Sequence, residues 1–160
     1  MLVLGVDPGS NITGYGLVHW QKGHLKYIAS GCIKLSNSPM PVKLLELYKA
    51  VSQIIATYNP TEFALEKVFV NKNVDSALKL GQARGAIMCA MAENYNNNIS
   101  EYSPRLVKKA VVGYGAAEKS QVQIMIKSIL GLDKVPQVDA ADALALAVCH
   151  INSVGFLSNV

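Results

Sequence analysis

The chain has 160 residues, 51% of them hydrophobic and 16% charged, with 15 Lys plus Arg against 11 Asp plus Glu and a net charge of +4. That length and that share of apolar side chain suit one globular domain with a sizeable core, expected to span residues 1–160. A mild positive balance permits a polyanionic partner without requiring one, because affinity for phosphates depends on where cations cluster rather than on their sum.

Cys32, Cys89 and Cys149 are odd in number, widely spaced and without His or Cys at metal-ligand spacing, so neither a disulfide framework nor a structural zinc site is suggested. Free thiols in a reducing cytosol are expected. The start, Met1 to Asp7, has no basic segment before its apolar run and no small-residue cleavage site. No stretch approaches the ~18 uninterrupted apolar residues of a membrane span. The expectation is a cytoplasmic protein with no membrane association.

Leu2 to Val6 is a short apolar run closed by Asp7-Pro8-Gly9-Ser10, which predicts a strand buried on both faces and then a sharp turn. Tyr15–Trp20 and Leu25–Leu35 are rich in β-formers and flank the turn-like Gln21-Lys22-Gly23-His24, which predicts an antiparallel hairpin. Val42, Leu44, Leu45, Leu47, Tyr48, Val51, Ile54 and Ile55 then fall at helical spacing, ended by Asn59-Pro60. Phe63 to Val70 follows as a strand. Ala77 to Met91 carries a second helical period, stopped by the polar run Asn94–Asn98, and Ile99–Tyr102 is a brief strand. Ser103-Pro104 supplies an N-cap and first residue for a short helix to Val112. Gly113-Tyr114-Gly115 breaks it, another helix starts at about Ala117, and a last one at about Val138. Three strands followed by alternating helix and strand predict an α/β fold: a five-stranded mixed sheet with helices on both faces.

Several acids occupy positions where burial disfavours them. Asp7 ends an apolar strand and Glu66 interrupts Phe63-Ala-Leu-Glu-Lys-Val-Phe-Val70. A plain alternative exists for each: Asp before Pro-Gly initiates turns, and Glu66 fits an outward position on a half-exposed strand. Asp139 and Asp142 stand three apart at the start of the last helix, on one face. They fit capping equally well, Asp139 as N-cap and Asp142 in the first turn. Capping does not account for the flanking Ala140, Ala141, Ala143, Ala145 and Ala147, which let this helix end approach another backbone closely. Packed across the end of the first strand, it would join Asp139 and Asp142 to Asp7 and Glu66. Four carboxylates so placed repel unless hard divalent cations, Mg²⁺ or Mn²⁺, lie between them. Two such ions ~4 Å apart serve an in-line phosphoryl displacement with no His or Cys nucleophile.

The sequence resembles the RuvC family of Holliday junction resolvases, which have a ribonuclease H-like fold. The resemblance covers nearly the whole chain and rests on five ordered blocks: Gly5-Val-Asp-Pro-Gly-Ser10 with Thr13-Gly-Tyr-Gly16, Ala64–Phe69, Asn73–Gly85, Ala117–Val122 and Asp139–Leu144. The family's four catalytic, metal-binding carboxylates map onto Asp7, Glu66, Asp139 and Asp142. The resemblance implies a Mg²⁺-dependent homodimer that grips a four-way DNA junction and nicks two opposed strands symmetrically, leaving 5′-phosphate and 3′-hydroxyl ends, in recombination and repair. It also implies RuvA and RuvB as branch-migration partners.

Arg105, Lys108, Lys109, Lys119 and Lys127 lie in a short interval with one acid, Glu118, and would form a positive surface for phosphates, although a solvated helix face fits the same pattern. By resemblance, Lys108 and Lys119 fall at functional lysine positions and Phe69 at an aromatic that stacks on bases at the junction centre. A core position on its strand is the plain alternative for Phe69. Gly81 and Gly85, four apart, allow close helix packing, within the chain or, as the family implies, across a dimer. The sequence ends at Gly155–Val160 without the basic tail of many family members, and catalysis is not expected to depend on one.

Three rival readings fit parts of the sequence. A related ribonuclease H-like nuclease on structured RNA would use the same chemistry, and a binding-only junction protein would not need intact acids. An actin-like kinase would need a second copy of the domain.

Overall fold

Alternation along the first strand sets the architecture. In the computed structural model, which describes residues 1–69, 73–94 and 99–155, β1 (Leu2–Asp7) is the central strand of a sheet ordered β3-β2-β1-β4-β5. The antiparallel hairpin of β2 (Ile12–Gln21) and β3 (His24–Lys34) lies on one side of it, and β4 (Glu62–Glu66) and β5 (Ile99–Tyr102) pair parallel on the other. Lys22 and Gly23 both take positive φ, 50° and 81°, the pair of values that a tight hairpin turn requires. The α/β, five-stranded mixed sheet is the one the sequence predicts.

Leu4, Val6, Leu17, Phe63 and Leu65 point to one face and pack with buried residues of α1 (Met40–Tyr58) and α2 (Val74–Asn94). Val3, Val18, Ala64 and Tyr102 point to the other and pack with α3 (Pro104–Val112), α4 (Lys119–Leu130) and α5 (Val138–Gly155). By the same period of two, Asp7 and Glu66 belong to the α5 face. Helix α5 is buried from Ala143 through Ile151, so it forms the centre of that layer.

Three departures from the sequence expectation bear on the site. The strand expected over 63–70 ends at Glu66, and Lys67–Phe69 are irregular; Val70 lies outside the described residues. With Val6 opposite Leu65, the next donor that β1 could offer is the N–H of residue 8, and Pro8 has none, so the ladder stops there. Helix α4 starts at Lys119 rather than Ala117, because Glu118 becomes its N-cap and its N–H donates to the Gln121 side chain at 2.8 Å. Asp139 is the second residue of α5, in its first turn, and not the N-cap.

Among the described residues no helix is long and apolar enough to cross a membrane. The helical period hid one polar core group. His150 is 1% exposed, its Nδ1 lies 2.9 Å from the Tyr102 hydroxyl, and its Nε2 has no hydrogen-bond partner, with Glu62 Oε2 3.8 Å away. Burial holds the imidazole below its ordinary pKa of 6.5, although Glu62 pulls the other way. The neutral form is therefore favoured by folding, and this contribution is lost as the pH falls below the unfolded value towards the folded one. The wild type's urea midpoint should exceed that of His150→Gln by a margin that narrows as the pH is lowered from about 7.5 to about 5.

Candidate active site

Backbone contact, rather than side-chain packing, brings the acids together. A Cβ on Gly5 would stand 2.1 Å from the Ala143 carbonyl oxygen, one on Gly14 1.9 Å from that of Asp139, and one on Gly16 2.7 Å from the Leu144 nitrogen. Helix α5 thus lies directly on β1 and β2 along a track of sheet glycines and helix alanines. This is the close approach that the alanines of α5 predicted; Gly5, Gly14 and Gly16, its counterpart on the sheet, carried no such signal alone. The turn after Asp7 is tied down by buried Thr13, whose hydroxyl bonds to the N–H and the carbonyl of Gly9, each at 3.1 Å.

Asp7, Glu66 and Asp142 line one cleft of about 260 Å³ with Lys108 and Lys119, and Pro104, Val107 and Val122 supply its apolar wall. Asp139 does not line it. One turn earlier on α5, Asp139 is close enough that its charge raises the Asp142 carboxyl and the Lys119 amine. The structure thus joins three of the four acids directly and keeps the fourth at their edge. Nothing in the sequence alone marks Pro104, Val107 and Val122 as one wall, since they lie on two helices.

Burial pushes the Asp7 carboxyl up to about 8, aided by the charges of Glu66 and Asp142 and a hydrogen bond with Glu66. Glu66 and Asp142 are raised as well, mainly by burial. Lys119 Nζ donates to Asp142 Oδ2 at 3.1 Å. Burial alone would lower this amine; Asp142, with Asp7 and Asp139, more than offsets that and raises it. A cation in the first turn of α4 opposes the helix dipole, so its position there is accounted for by Asp142 rather than by α4.

Among the described residues no three His, Cys, Asp or Glu side chains stand together closely enough to hold a metal ion as they lie. The donor set nevertheless fits a hard divalent ion: every candidate ligand is a carboxylate, and burial, with repulsion from neighbouring acids, disfavours the charged forms that such an ion would restore.

Phe69 is 64% exposed just past the end of β4, so the core alternative for it does not hold. Arg105 and Lys109, one turn apart on α3, do not line the acidic cleft; with Ser103, Leu106 and Tyr114 they border a separate hollow of about 510 Å³ beside it. Arg105 is packed over the loop, since a Cβ on Gly115 would meet its Cγ at 2.4 Å.

Residues 3–150 match the family described as crossover junction endodeoxyribonuclease RuvC. The chain belongs to the RuvC family. It is 53% identical over 152 residues to the crossover junction endodeoxyribonuclease RuvC of Vibrio cholerae, covering 95% of this chain and 87% of that one. With the Histophilus somni protein of the same name it shares 55% over 154 residues, 96% and 80% of the two chains. The Thermus thermophilus RuvC structure in complex with Holliday junction substrate superposes with a TM-score of 0.87 at 28% identity, covering 98% and 96%. Family membership makes the chain a nuclease with a ribonuclease H-like fold.

Because the meeting of Asp142 with Asp7 depends on the glycine track, Gly14→Ala should lower stability by about 1–3 kcal/mol in urea unfolding. By displacing α5, it should also slow single-turnover DNA cleavage by about 100-fold.

Proposed function

We propose that this chain acts as a homodimer that binds four-way DNA junctions and hydrolyses one phosphodiester in each of two opposed strands, leaving 5′-phosphate and 3′-hydroxyl ends. The observation that carries this reading is the cleft that gathers Asp7, Glu66 and Asp142 beside two lysines. Asp7, Glu66, Asp142 and, from the rim, Asp139 would hold Mg²⁺, two ions per site, with Mn²⁺ able to substitute. When bound, these ions supply an ionisable water and a Lewis acid for the leaving oxygen. Lys108 and Lys119 offset charge that develops on the scissile phosphate. For Lys119 this means exchanging Asp142 for the phosphate, at which point Asp142 is freed as a ligand.

The remaining surface suits a branched duplex. Arg105 and Lys109 continue the positive side of the cleft and would hold a flanking backbone phosphate. The exposed ring of Phe69 is free to stack on a base unpaired at the junction centre, a contact worth about 1–3 kcal/mol. On α2, Val74 and Leu78 are 63% and 64% exposed, and a Cβ on Gly81 or Gly85 would meet nothing within 4 Å. This apolar stripe with two bare positions suits a second copy of the same helix, and a two-fold dimer presents two equal sites to a pseudo-two-fold junction. RuvA and RuvB are the branch-migration partners proposed on family grounds, in the cytoplasm.

With an immobile four-way junction and Mg²⁺, paired symmetry-related nicks should appear on a denaturing gel, and EDTA or Asp7→Asn should abolish them while junction binding persists in a mobility shift. A junction bound and left uncut in Mg²⁺ and Mn²⁺ across many sequences would turn the reading towards structured RNA or towards binding alone. Leu78→Asp should shift the chain to monomer in analytical ultracentrifugation and remove paired nicking, with the unfolding midpoint little changed.

A further inference from the structure

The backbone carbonyl of Glu66 has lost the partner a parallel ladder would provide. The N–H of Lys67 donates to the Tyr102 carbonyl of β5 at 2.8 Å, and in a trans peptide the Glu66 carbonyl points the opposite way, towards β1. The ladder partner there would be the N–H of Pro8, which does not exist. Arg84 of α2 fills that position: its Nε donates to the Glu66 carbonyl oxygen at 3.2 Å.

The rest of the guanidinium is fixed as well. Nη2 lies 2.7 Å from Glu101 Oε2 on β5, and Nη1 is 3.5 Å from the Met88 sulfur one turn along α2. The Arg84 and Glu101 side chains are 19% and 33% exposed, so this fork is partly shielded and its geometry is held at both ends. Glu101 pairs in register with Leu65, whose side chain faces α1 and α2. Arg84 therefore works from the face of the sheet opposite the acidic cleft, and it is absent from the cleft lining. It reaches Glu66 through the backbone while the carboxylate points to the other side.

We propose that Arg84 is a positioning residue for the divalent-cation site: it replaces the ladder bond that Pro8 cannot make, fixes the last residue of β4, and so holds the Glu66 carboxylate where it can ligate together with Asp7. The inference rests on the reading of Glu66 as a metal ligand. It also gives α2 a second task, because the helix whose outer stripe faces the partner copy holds the metal ligand with its inner edge. A lysine could supply one donor to the carbonyl but not the fork that also engages Glu101.

The test is Mn²⁺ binding by isothermal titration calorimetry to the full chain without DNA, for the wild type, Arg84→Met, Arg84→Lys and Glu101→Gln, with junction affinity in EDTA and thermal unfolding measured alongside. Arg84→Met should weaken Mn²⁺ by about 10-fold, the order found when an outer partner of a metal ligand is removed, with junction affinity in EDTA unchanged. Arg84→Lys should recover part of the loss, and Glu101→Gln should fall between wild type and Arg84→Met. A folded Arg84→Met with wild-type Mn²⁺ affinity overturns the proposal, and so does one whose loss is in EDTA junction binding alone. If Arg84→Met does not fold, Glu101→Gln decides: unchanged Mn²⁺ affinity overturns the proposal, and weakened affinity at a near-wild-type melting temperature supports it. A wild type that binds no Mn²⁺ overturns the metal reading itself and this inference with it, an outcome distinct from an Arg84 effect that is absent.

Discussion

Direct contact between the backbone of α5 and the backbones of β1 and β2 is the constraint on which the site depends. Helices ordinarily pack on sheets through interlocking side chains, which keeps the two backbones apart. Here Gly5, Gly14 and Gly16 give the sheet no side chain where α5 crosses, and Ala140, Ala143 and Ala147 give the helix very little. The short side chain of Asp142 can therefore reach the strand ends that carry Asp7 and Glu66. With ordinary packing it would stop short, and the acids would be separate surface groups.

That proximity has an electrostatic cost. Three carboxyls raised by burial first and by neighbouring acids second are each harder to ionise than in water, and the Asp7 carboxyl is pushed up to about 8. Lys119 relieves part of this at 3.1 Å from Asp142, from a helix end where a cation is otherwise disfavoured. A protein domain is stable by only about 5–15 kcal/mol, so such a cluster persists only because the core beneath it is dense. Leu4, Val6, Leu17, Phe63 and Leu65 on one face and the buried length of α5 on the other provide that core.

The two faces of the sheet divide the work. The α3–α5 face carries the candidate site: the acids, the two lysines and the apolar wall. The α1–α2 face carries the outer stripe that suits a second copy. Arg84 crosses between these roles at the end of β4, where Pro8 stops the ladder. Pro8 also explains why Phe69 is free: once the strand ends at Glu66, the aromatic three residues later leaves the core and stands in solvent.

The sequence by itself determined the order and type of the elements, because hydrophobic period, glycine-proline punctuation and caps are local properties. It also marked the acids, since a carboxylate within an apolar run is conspicuous whatever surrounds it, and the alanines of α5 announced a close approach without naming the surface approached. Tertiary structure decided the rest. Asp139 and Asp142 are equivalent by spacing, yet only Asp142 lines the cleft with Asp7 and Glu66, while Asp139, whose carbonyl lies over Gly14, does not. Arg84 and His150 gave no local signal: an arginine on a helix ordinarily points to water, and a histidine in an apolar helix has no period of its own. Their roles depend on an unpaired carbonyl and a buried tyrosine hydroxyl contributed by distant strands. Such pairings come into being only when β4 and β5 meet α2 and α5, so no window of the chain, however closely read, contains them.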